Sequence, residues 1–105
     1  MPNYLAHVEL HDPEEEEDYE LLHTAMEQRG LLRQIQGDDG ASYELPNATY
    51  VMQNTDITLT AAQDLAIAAA VETEFEYSLI VVEFDNTLWT NLDRLVRKFG
   101  AGERT

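Results

Sequence analysis

Polar and apolar side chains alternate from Asn3 to Leu10. Tyr4, Ala6, Val8 and Leu10 fall on one side, and Leu5, His7 and Glu9 on the other. This period of two predicts a strand with one buried face. The period then changes: Tyr19, Leu22, Ala25 and Met26 recur at spacings of three and four, the stripe of an amphipathic helix. Asp12-Pro13 predicts its start, with Asp12 as N-cap, Pro13 at the first helical position and Glu15 completing a capping box. Gly30 predicts its end.

Leu31 to Gln36 reads as a second strand. Gly37-Asp38-Asp39-Gly40 follows as a tight hairpin, its glycines and aspartates suited to positive φ. Tyr43 to Gln53 is the expected return strand, interrupted early by Pro46. After a connection over Asn54–Leu59, Thr60 and Gln63 predict a capping box for a helix over Ala61–Val71. Its alanines would let it lie close to a sheet. Phe75 to Asp85 reads as a strand apolar on both faces. Leu88, Leu92, Leu95, Val96 and Phe99 then form a helical series, with Gly100 as its stop.

The order strand, helix, strand, strand, helix, strand predicts an α+β fold. It is the ferredoxin-like βαββαβ arrangement, an antiparallel sheet with two helices on one face. Residues 1–86 would form this domain, and 87–105 a C-terminal amphipathic helix and tail. The face away from the helices is expected to show His7, Glu9, Tyr77, Leu79 and Val81. The added helix would cover it, or two chains would pair through it; monomer and homodimer both stay open.

Charge changes what this scaffold can do. The 105 residues include 21 acids and six bases, a net charge of −15. Residues 1–90 hold 19 acids against Arg29 and Arg33, while Arg94, Arg97, Lys98 and Arg104 cluster at the end. Seven of the ten residues from His11 to Glu20 are acidic. Such a body repels phosphate backbones and anionic lipid, and attracts cationic grooves. At 44% hydrophobic residues the acidity does not imply disorder. The chain has no cysteine, which excludes disulfides and thiolate zinc sites. No apolar run approaches the ~18 residues of a membrane span. The N-terminus lacks the pattern of a signal peptide, so the expected location is the cytoplasm of a bacterial host.

Several segments resemble a small bacterial and phage family, the GhoS-like proteins, named after the type V toxin–antitoxin antitoxin. They are Tyr4-Leu5…Val8-Glu9-Leu10-His11, Asp18-Tyr19-Glu20…Leu22-His23…Ala25-Met26, Gly37-Asp38-Asp39-Gly40…Tyr43…Leu45-Pro46…Ala48-Thr49-Tyr50, Asp64-Leu65-Ala66 and Val81-Val82-Glu83. The resemblance spans roughly residues 4–83 and rests on strand ends, core positions and the hairpin. It implies a ferredoxin-like fold and sequence-selective cleavage of a toxin mRNA. It carries over no catalytic residue.

Other chemistry finds little support. His7, Glu9 and His11 share one side of the first strand at ~7 Å steps, close enough for neighbours to share a metal ion; open sheet faces commonly carry such residues, and no metal is assigned. The acidic run lacks the alternation and central glycine of a calcium loop. His23, Arg29 and Arg33 are thin as an RNA site, and the arginines are better read as bridging carboxylates. No nucleophile elbow or phosphate-cradling loop is present, so no cofactor is expected. What remains is the acidic surface, whose −15 exceeds the ~2–8 charges that solubility asks of a small domain. The leading expectation is a non-enzymatic nucleic-acid mimic that blocks the groove of a basic nucleic-acid-binding protein or complex, such as a CRISPR effector, without binding nucleic acid itself. Its contact residues would be Glu14, Glu15, Glu16, Glu17, Asp18 and Glu20, then Asp38, Asp39 and Glu44. The alternative is a GhoS-like endoribonuclease antitoxin.

Overall fold

A computed structural model describes residues 1–12 and 16–95, except for the side chain of Glu16. The chain forms β1 (Asn3–Leu10), α1 (Glu16–Glu27), β2 (Gln34–Gln36), β3 (Ser42–Glu44), β4 (Thr49–Met52), α2 (Leu59–Glu72), β5 (Tyr77–Phe84) and β6 (Arg94–Leu95). These build two three-stranded antiparallel sheets, ordered β4-β1-β5 and β2-β3-β6.

β1 is the central strand of the larger sheet, and its alternation organises the core as the pattern predicts. Tyr4, Ala6, Val8 and Leu10 are buried on the side that meets both helices. Leu22, Ala25 and Met26 of α1 pack there against Ala66, Ala69 and Ala70 of α2. The alanines let the two helices and the sheet approach closely, which larger side chains would prevent. Strand partners point to the same face in an antiparallel pair. Ala6 is paired with Val81 and Val8 with Leu79, so Tyr77, Leu79 and Val81 face the helices and not the open side. The residues of β5 on the far face are Ser78, Ile80, Val82 and Phe84, paired with Glu9, His7, Leu5 and Asn3.

The expected return strand is two strands in different sheets. After β3, Leu45 to Ala48 turns the chain, with Ala48 at φ +65°, before β4 joins β1. An isolated bridge, Leu32 to Val51, ties the stretch just before β2 to β4 of the larger sheet. Only Gly40 of the four hairpin residues adopts positive φ (+83°). Gly37 instead allows close approach: a Cβ there would lie 3.3 Å from both the Trp89 and Tyr43 rings.

The helix starts also differ from expectation. Asp12 has φ +56°, whereas an N-cap residue is extended; Pro13 and Glu15 of the expected capping box lie outside the described residues. α2 begins one turn-half early because Thr58, not Thr60, is the cap. Its backbone is extended, and its hydroxyl accepts from the Ala61 N–H at 3.0 Å. α1 stops as expected, with Gly30 at φ +85°.

No helix forms between Thr87 and Leu95. Asn91 takes φ +63°, Leu88 is exposed, and Arg94–Leu95 pairs with β3. The anchors are Trp89 and Leu92, which join Ile35, Leu45, Val51, Leu5, Tyr43 and Phe84 in a second small core. The helical series Leu88/Leu92/Leu95 therefore loses to burial of an aromatic ring that the series does not contain. Val96 and Phe99 lie outside the described residues. This second layer, not a helix, covers the Leu5–Phe84 end of the open face, and it leaves His7, Glu9, Ser78 and Ile80 exposed.

Replacing Trp89 with alanine is expected to destabilise the fold by about 2 kcal/mol, less than the ~3–5 of a fully buried ring. It should also release β6. Amide hydrogen exchange checks this: the Glu44 N–H, which donates to Asp93 at 2.8 Å, should lose protection, while the Val8 N–H, bonded to Ala48, keeps it.

Candidate functional site

The acids expected to act together are divided by the fold. The Tyr19 hydroxyl accepts from the Leu10 N–H at 3.0 Å, which fixes the first turns of α1 at the Leu10 end of β1. Glu17 and Glu20 are exposed there, and Asp18 is half-buried. Glu14 and Glu15 lie outside the described residues, as does the Glu16 side chain. Asp38 and Asp39 line a cleft with Asn3 and Phe84, at the opposite end of β1. Seven strand steps, ~23 Å, separate the two ends. Glu44 belongs to neither group, being the ion-pair partner of Arg33 at 3.8 Å.

Asp39 is mainly a turn residue. One carboxylate oxygen accepts from the Ala41 N–H and the other from the Tyr43 hydroxyl, both at 2.9 Å. The Ala41 bond is the larger cause, with Tyr43 second, that holds its carboxyl below the ordinary range, and the same contact raises the Tyr43 phenol. Asp38, at the turn's tip, is exposed. The cleft beside it has a volume of about 570 Å³ and is walled by Gln36, Gln53, Asp85 and Trp89 among others. Asp85 is a third carboxylate in this wall. It stands one residue past the end of β5, where only the topology brings it to the hairpin.

Arg29 and Arg33 have structural partners. Arg29 donates to Glu72, tying the ends of α1 and α2, and to the Ala25 carbonyl at 2.8 Å. Arg33 reaches Glu44, an exposed pair of the kind worth at most ~1 kcal/mol. The reading of both as carboxylate bridges holds. His23 is not presented to a ligand either: it is 8% exposed, and its Nδ1 is hydrogen-bonded to the Tyr50 hydroxyl at 2.6 Å. Its position four residues after Tyr19 put it on the buried stripe, a signal available in the sequence.

His7 and His11 diverge. His7 is hydrogen-bonded to Thr49 of β4 at 3.2 Å, and His11 to Ser78 of β5 at 2.9 Å. They lean toward opposite flanking strands, and no group of three metal-ligating side chains occurs among the described residues. None of the described helices is long and apolar enough to cross a membrane. In comparisons with known proteins, no family model, no curated protein and no solved structure matches this chain.

Burial, reinforced by the Arg33 guanidinium, lowers the His23 pKa below its ordinary 6.5; Glu20 and an Asn47 hydrogen bond oppose this more weakly. Burial likewise raises the Tyr50 phenol. A base whose pKa falls on folding binds fewer protons when folded, so stability declines as pH drops through 6.5 toward the folded value. Thermal melts between pH 7 and 5 should show this decline. They lie above the ordinary carboxylate range, and His23→Gln should flatten the slope.

Proposed function

We propose that this chain is a non-enzymatic acidic inhibitor that mimics nucleic acid and occupies the groove of a basic nucleic-acid-binding partner. A CRISPR effector complex is the partner class this reading favours, which makes the chain an anti-CRISPR-type protein. One observation carries the proposal. The described residues include 18 acids and three bases, and Arg29 and Arg33 are engaged with carboxylates. The third, Arg94, adds an attraction that helps lower the Asp39 pKa. Among the described residues this leaves no cluster of cations for a phosphate backbone.

The two acidic ends of β1 give the mimic its dimensions. Separation by ~23 Å corresponds to about seven base-pair steps of B-form duplex at ~3.4 Å each. A groove long enough for a short duplex meets Glu17 and Glu20 at one end and Asp38 and Asp85 at the other. Association would be fast and sharply salt-dependent. We further read the scaffold as a ferredoxin-like variant. The support is its element order, the central β1 and the two helices on one face; β2 and β3 have swung out to build a second layer.

The endoribonuclease reading needs a free base or a phosphate contact. The buried His23 and the engaged arginines do not favour it.

The test is displacement. A basic partner captured on immobilised protein at low salt should elute by about 0.5 M salt, where screening lengths fall to a few ångströms. The captured partner, loaded with labelled duplex, should release it when free protein is added. Glu17→Lys with Glu20→Lys should weaken displacement at least about tenfold, each reversal replacing attraction with repulsion. Unchanged displacement by this folded variant would contradict the proposal.

A further inference from the structure

The outer edge of β5 is the least protected feature of the larger sheet. β5 pairs with β1 alone. All eight residues are in continuous register, Tyr77 with Leu10 through Phe84 with Asn3, so no bulge twists the edge away. Natural sheets blunt such edges with lysine, proline, bulges or a cover. β5 has neither lysine nor proline, and Glu83 is its one charged residue. Ile80 and Val82 are 60% and 40% exposed beside the edge.

The hydrogen-bond phase identifies the free groups. The His11 N–H donates to the Glu76 carbonyl, so the pairs two residues apart from it, beginning with Glu9 and Ser78, are the hydrogen-bonded ones. Residues Tyr77, Leu79, Val81 and Glu83 therefore point their N–H and C=O groups away from β1. No described strand pairs with them. This is the template that β-augmentation uses.

Charge chooses the occupant. Glu74 and Glu76 precede the strand, and Glu83 and Asp85 close it; all four are exposed. The middle, Leu79 to Val82, is apolar. A second copy adding antiparallel through the same outward groups would bring Glu74 and Glu76 of each copy close to Glu83 and Asp85 of the other, between bodies of charge −15. Like charges oppose that dimer. A strand with apolar alternation in its middle and lysine or arginine at its ends meets every feature of the edge. We propose that the β5 edge docks such an extended basic segment of the partner protein as an added antiparallel strand. The inference rests on the reading of a cationic partner and names a second, backbone-mediated contact to it.

A synthetic peptide of alternating valine and threonine, with two lysines at each end, is the probe. Titrated into the full-length protein, it should slow hydrogen exchange at the Leu79 and Val81 amides and leave the β1 amides unchanged. Glu83→Pro removes one outward N–H without touching the β1 ladder. It should weaken binding about tenfold, the upper value for one lost hydrogen bond. Glu83→Gln, which removes only the charge, should weaken it less. Equal losses in the two variants would overturn the edge contact in favour of charge alone. Protection of Leu79 and Val81 before peptide is added would assign the edge to a second copy or to residues 96–105 of the same chain, the two distinguished by solution mass. Either result overturns the proposal. Failure of peptide binding with displacement of duplex intact would refute the edge and leave the groove-blocking function standing.

Discussion

Everything in this fold depends on β1 being hydrogen-bonded on both edges. With β4 on one side and β5 on the other, the strand cannot slip without turning its buried side chains outward. Its even positions hold the helices, its odd positions carry the second layer at one end, and the rest stay open to water. The position of α1, and with it Glu17 and Glu20, follows from the Tyr19 bond to Leu10 at the strand's end. The hairpin acids belong to the other end because the second sheet packs over Leu5 and Phe84.

This division has an electrostatic logic. A small domain with 18 acids among its described residues repels itself, and gathering them on one patch would make the repulsion worse. Spreading them over two ends and the helix surfaces lowers that cost. Two of the bases offset part of it: Arg29 joins the ends of α1 and α2, and Arg33, next to β2, pairs with Glu44 of β3 inside the second sheet. The fold is tolerant of its charge because its core is independent of it. Both clusters are built from apolar side chains, with the His23–Tyr50 hydrogen bond as a polar inclusion beside the main core.

Much of this architecture could be read from periodicity. β1 agrees residue for residue, the α1 stripe is the buried one, and the hairpin lies where its glycines put it. Local signals failed where two options were chemically equivalent or a distant residue decided. Thr58 and Thr60 are equally good caps, and only the Ala61 N–H distinguishes them. β5 is apolar on both sides, so its own pattern cannot say which side is inward; pairing with β1 does. Leu88, Leu92 and Leu95 fit a helix, but Trp89 finds a pocket against Tyr43 and Gly37, with ring centroids 5.2 Å apart, and the segment stays extended. For the site, composition identified the acidic character correctly. It could not show that Asp39 is consumed by its own turn, that Glu44 is paired, or that Asp85 joins the hairpin.

The central proposal is that the described surface rejects nucleic acid, with its acids far outnumbering its bases and Arg29 and Arg33 paired with carboxylates. Its most direct test is a nuclear magnetic resonance titration of the labelled protein with a short RNA at low ionic strength, where weak phosphate contacts are strongest. The account predicts an unchanged spectrum and intact RNA. Shifts centred on His23, Arg29 and Arg33, or cleavage of the RNA, would contradict it.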